Sequence, residues 1–140
     1  MLDEFELIDT FTTKEGTVNI YANGLLESTV HEGAYLDVAY LRDGKTRIEE
    51  ALKGKKAYVL NDCLGHYRIS REARQLSASE QYSSHIAATA VIVNNAAVRL
   101  VLDLYMSIDK PYSPTRAFTK REEALKWLLE EMEAHQQKSG

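Results

Sequence analysis

A chain of 140 residues, 44% hydrophobic and 27% charged, carries enough apolar material for one buried core and has the balance of an ordinary soluble globular domain. Its formal net charge of -4, with basic residues scattered except at Arg68, Arg71 and Arg74, argues against a nucleic-acid-binding face, which needs concentrated positive charge. The one cysteine, Cys63, excludes an intrachain disulfide.

The opening stretch, MLDEFELIDTF, is acidic and has no basic segment leading into an apolar run. No signal peptide is expected from it, and a cytoplasmic location is. Glu4–Phe11 alternates weakly and predicts a first strand. After Gly16, Thr17–Ala22 predicts a second, with Val18 and Ile20 on one side. Asn23-Gly24 is a hairpin signal, because both residues tolerate positive φ, and Leu25–Val30 is the returning strand.

A helix follows over Gly33–Lys53, where Val38, Leu41, Ile48 and Leu52 recur at helical spacing. Asp43-Gly44 threatens to divide it, and Gly54 suits its C-terminal cap. Lys56–Asn61 and Ile86–Val93 are continuous apolar runs. That pattern is expected of parallel strands covered on both faces. Between them Ser70–Ser83 predicts a polar helix. Ala96–Ile108 predicts a helix apolar nearly all round, with Arg99 and Asp103 spaced to pair. Asn94, Asn95, Arg99 and Asp103 break the apolar region from Ile86 to Ile108 too often for a membrane span. Pro114–Thr119 predicts a last strand. The final helix opens on the capping box Thr119-x-x-Glu122 and carries the stripe Leu125, Leu128, Leu129, Met132. His135–Gly140 is polar and expected to fray.

The predicted order is β-β-β-α-β-α-β-α-β-α: one α/β domain with an N-terminal hairpin and a mixed sheet under helices. Several segments carry a closer likeness: "VLND" followed by "ISREAR", then "AATAVIV", then "KPYSPTRAFTKREEALKWL". Together they resemble a bacterial group of small, uncharacterised SpoIIAA-like proteins of the STAS fold, over about residues 16–130. The resemblance implies a regulatory binding module. It also implies a switch: STAS antagonists open the helix after the third strand with Asp-Ser-x-Gly, whose Ser is phosphorylated. Here that stretch reads Ser70-Arg71-Glu72-Ala73. With Ser70 at the cap, Arg71 stands at the phosphoacceptor position, and the Gly is missing.

Asn61, Asp62, Asn94 and Asn95 end two predicted parallel strands, the edge where open α/β sheets bind ligands. With His66, Ser70, Arg71 and Arg74 they form the candidate recognition surface. Bland readings compete. Asn and Asp are turn formers, Ser70 is a preferred N-cap, and helical arginines usually face solvent. Cys63, His66 and Ser70 allow a small hydrolase on paper, but no companion motif supports one. No Gly-rich phosphate loop, H-E-x-x-H, G-x-S-x-G or C-x-x-C occurs, and Cys63-x-x-His66 is at most half a zinc site. No metal, cofactor or catalysis is therefore expected. Two function classes remain. One is a regulatory module with a protein partner, including a homodimer through Val98, Val101, Leu102, Tyr105 and Met106. The other is a small-molecule or lipid binder using the apolar 96–108 helix.

Overall fold

The computed structural model describes residues 4–63, 65–108 and 110–139. Its main sheet has six strands: β1 (Leu7–Thr12), β2 (Gly16–Tyr21), β3 (Leu25–Val30), β5 (Ala57–Cys63), β7 (Ile86–Ile92) and β8 (Thr115–Phe118), in the spatial order β1-β2-β3-β5-β7-β8. β1, β2 and β3 are antiparallel neighbours. From β3 onward every pairing is parallel. Two short strands, β4 (Tyr35–Leu36) and β6 (Arg68–Ile69), pair apart from it. The helices are α1 (Val38–Leu52), α2 (Arg71–Ser77), α3 (Glu80–Ser83), α4 (Ala96–Ile108) and α5 (Arg121–Ser139).

The β2–β3 hairpin turns through Ala22-Asn23-Gly24. Gly24 N–H donates to Tyr21 O at 3.0 Å, and Asn23 Oδ1 accepts from Leu25 N at 3.0 Å. Only Gly24 takes positive φ, at 98°. This is the three-residue loop with a left-handed glycine, not the two-residue turn in which both residues are left-handed. A Cβ at Gly24 would stand 2.7 Å from Lys56 O.

Asp37 caps α1, accepting from Tyr40 N at 2.8 Å, and the helix runs unbroken through Asp43-Gly44. A helical glycine costs about 1 kcal/mol, too little to break a capped helix whose Ile48, Ala51 and Leu52 pack on the sheet. The polar segment 70–83 is two helices, because Ser79 takes a cap of its own, accepting from Tyr82 N at 3.3 Å. α5 begins at Arg121, two residues after Thr119, the expected cap, and Ala124 N donates to Lys120 O. It continues beyond the expected fraying point: His135 packs edge-to-face on Tyr58 at 5.7 Å. Gly140 lies outside the described residues.

The two sheet faces are covered differently. On one, Tyr21, Leu25, Tyr58, Leu60, Ala88, Ala90 and Phe118 pack against Ala124, Leu125, Leu128 and Met132 of α5. On the other, Phe11, Val18, Ile20, Leu26 and Ala57 pack against α1, near the β1–β3 side. At the carboxyl ends of β3 and β5 the same face carries a smaller cluster, Val30, Ala34 and Leu36 with Tyr40, Cys63 and Ile69, and the candidate site lies beside these two clusters.

Candidate functional site

Alternation along the strands decides which side chains reach this face. On β5, Tyr58 and Leu60 point to α5, whereas Val59 and Asn61 point the other way, level with Leu26 and Ser28 of β3. With Thr89 and Val91 of β7 they floor a cavity of about 1320 Å³ between the sheet and α1–α4. Tyr40 and Ile48 of α1, Arg74 and Ser77 of α2, Tyr82 of α3, and Leu102 and Met106 of α4 line its walls. Its lining is more apolar than polar, with charged and hydroxyl side chains such as Lys14, Glu15, Arg47 and Thr89 along it.

Tyr40 hydrogen-bonds Ser28, and burial raises its pKa, with the charge of Glu15 adding to the effect. Tyr67 is partly exposed as a whole, but its hydroxyl lies against the Cys63 thiol, and desolvation there pushes its pKa up to about 12. Burial also raises the pKa of Tyr82, helped by Tyr40. All three tyrosines therefore stay protonated at neutral pH. Cys63 is pushed up by burial as well, against the opposing Tyr67 hydrogen bond, so its thiolate is scarce.

Two buried polar atoms on the lining find no protein partner: Asn61 Oδ1 and His85 Nε2. His85 Nδ1 lies 2.7 Å from Tyr82 O, a carbonyl that only accepts, so Nδ1 carries the proton. Burial lowers the pKa of His85, outweighing the Tyr82 carbonyl that raises it. The ring is neutral, and Nε2 presents a bare lone pair.

The eight residues expected to form one recognition surface are not brought together. Asn61 and Arg74 line the cavity. Asp62, one position along, points to the opposite face, where Arg121 bridges it at 3.2 Å and also pairs with Glu27. This divergence follows from β5 running to Cys63, two residues past the expected strand end. Ser70 is the α2 cap, accepting from Ala73 N at 3.0 Å, and Arg71 is exposed. His66 is exposed, and its carbonyl accepts from Gly33 N at 2.6 Å. Asn95 Oδ1 accepts from Val98 N at 2.9 Å at the start of α4, and Asn94 is exposed. Of the expected dimer face, Leu102 and Met106 turn into the cavity, while Val98 and Val101 are exposed. The Tyr105 side chain lies outside those described. α4 is not the buried helix its composition suggests: Leu100, Leu104 and Ile108 are 71%, 64% and 73% exposed. Sequence reasoning passed over His85, Tyr40 and Tyr82, which lie far apart in the chain and match no motif. Among the described residues no three His, Cys, Asp or Glu side chains gather as a metal site, and no helix is long and apolar enough to cross a membrane.

The domain of unknown function DUF7793 matches residues 19–131. The chain belongs to the DUF7793 family. Its fold is similar to the crystal structure of an uncharacterised DUF3478-family protein with a SpoIIAA-like fold from Shewanella loihica PV-4. The TM-score is 0.51 at 14% identity, covering 89% of this chain and 94% of that one. At that identity the likeness carries the architecture, a SpoIIAA-like mixed sheet with helices, and no activity. No curated protein matches the sequence.

Proposed function

We propose that this DUF7793 chain is a non-catalytic binding module that holds a small, largely apolar ligand between the sheet and α1–α4. The cavity carries the reading. At about 1320 Å³, and open to solvent along part of its length, it has room for a molecule of the size held by usual ~300–1,000 Å³ sites, and its lining is more apolar than polar. Leu102 and Met106 make the 96–108 helix one of its walls. Displacement of Nile red, a neutral apolar dye, tests the reading. The dye should bind the native chain saturably, and Met106→Trp, which narrows the cavity at its α4 wall, should weaken binding while the fold is kept. Equal dye binding by both proteins would refute it.

A second reading is a regulatory interaction module of the STAS type that pairs with its own copy. The exposed outer face of α4 favours it. Leu100, Val101, Leu104 and Ile108 form an apolar stripe beside Arg99 and Asp103, which sit 3.9 Å apart. Such opposite charges, four residues apart, complement themselves in an antiparallel two-fold contact. Sedimentation should show a dimer that Leu104→Glu dissociates; a monomer at every concentration would sink this reading.

A further inference from the structure

Two buried atoms on the cavity lining, Asn61 Oδ1 and His85 Nε2, lack a protein partner, and their shared character points to a ligand class. Asn61 Oδ1 is a carbonyl oxygen. His85 Nε2 is the unprotonated nitrogen of an imidazole whose other nitrogen donates to Tyr82 O. Both are acceptors, both are buried, and neither has a donor within the described protein. A buried acceptor without a donor costs about 1–3 kcal/mol, so two on one cavity wall make an apolar-only occupant a poor match. The hydroxyls of Tyr40 and Tyr67 are already engaged by Ser28 and Cys63. The side chain of Arg74 has interactions of its own.

The two acceptors sit at different levels of the sheet. Ala57 pairs with Ile86, the residue after His85, and Asn61 lies four residues further along β5. With the one-residue step from His85 to Ile86, the separation along the strands is roughly 17 Å at ~3.3 Å per residue. Val59, Thr89 and Val91 floor the space between them. A slender chain lying along the strands would meet one acceptor near each end.

Resting on the binding reading above, we infer that the ligand is a neutral, slender amphiphile with a hydrogen-bond donor, a hydroxyl or N–H, near each end, one for Asn61 Oδ1 and one for His85 Nε2. A carboxylate fits these two atoms poorly, because it brings further acceptors to a pair of acceptors. An ether or hydrocarbon of the same length leaves both atoms unpaired.

The test compares 1-decanol with its methyl ether and with decanoate, each displacing Nile red from the native chain. The ether has the more apolar head, so partitioning alone would favour it. The inference expects the reverse, with decanol about tenfold tighter, and 1,10-decanediol at least as tight. Asn61→Leu with His85→Phe should collapse the alcohol-to-ether ratio while retaining dye binding. The ratio in the native protein stands whether or not those variants fold. If ether and alcohol bind alike, with solvent satisfying the two atoms, or if decanoate binds tightest through a cation such as Arg74, the inference is overturned while the binding reading survives. If neither the dye nor any of these compounds binds, both fall.

Discussion

Replacing Asn61 with Leu is expected to stabilise the ligand-free protein while weakening its binding. The two side chains are close in shape, and Asn61 sits between Ser28 and Val91 on neighbouring strands. Its Oδ1 has no partner within the protein. Removing a buried, unpaired amide oxygen relieves about 1–3 kcal/mol, and an allowance of about 1 kcal/mol for taking the amide nitrogen away from solvent is set against it. The balance is about 1 kcal/mol in favour of Leu. Unfolding entropy near 2.1 cal/mol/K per residue gives this chain about 0.3 kcal/mol/K, so the melting temperature should rise by about 3 °C. Calorimetry and urea midpoints on matched samples measure it. A fall of similar size would mean that the amide is fully satisfied in the folded chain, and the acceptor argument would then lose one of its two atoms.

Gly24→Ala should lower stability by about 2 kcal/mol, read from urea unfolding, because a φ of 98° and the approach of Lys56 O both oppose a Cβ. His85 binds its proton less readily folded than unfolded, where 6.5 applies. Its contribution is therefore present above pH 6.5 and lost as pH falls below that value toward the lower folded pKa. His85→Gln should flatten the difference in urea midpoint between pH 7.5 and pH 5.5, and an unchanged difference would assign it to other groups. Cys63, half-buried with its pKa raised by desolvation, should react with iodoacetamide about tenfold more slowly in the native than in the unfolded chain at pH 8. Equal rates would show an open thiol.

Local signals located most of the architecture. Leu25–Val30 and Ala96–Ile108 have the bounds expected from the sequence, because a glycine turn and an Asn cap delimit them sharply. The alternation of β and α units also implied the parallel half of the sheet. Errors clustered where tertiary packing outweighs local pattern. Asp43-Gly44 did not break α1, and Thr119 did not cap α5. β4 and β6, two residues each, carry no pattern to detect. The site was less legible. A sequence window treats Asn61, Asp62 and Cys63 as one polar cluster, but strand alternation sends Asp62 to Arg121 and Asn61 to the cavity. An apolar α4 indicates burial without saying on how many sides, and among the described residues of the expected face only Leu102 and Met106 turned inward. Tyr40, Tyr82 and His85 converge through long-range packing that no spacing encodes.

The asymmetry of the two faces explains why a domain this small holds a large cavity, and it makes a last prediction. β7 presents Ala88 and Ala90 to α5, small residues that let a 19-residue helix approach closely and fill its side. The other face has one long helix, α1, near the β1–β3 edge. The rest of that face is left to α2 and α3, seven and four residues long, and to α4, which turns much of its apolar surface outward. A ligand there would complete a half-built core, so binding and stability are linked. At a hundredfold excess of free ligand over Kd the gain is about 2.7 kcal/mol, or about 9 °C in melting temperature for a chain of this size. Decanol should produce that shift in the native chain and a smaller one in Met106→Trp. If both proteins shift equally, the alcohol acts at another surface, such as the exposed stripe of α4, and the cavity is not the site of binding.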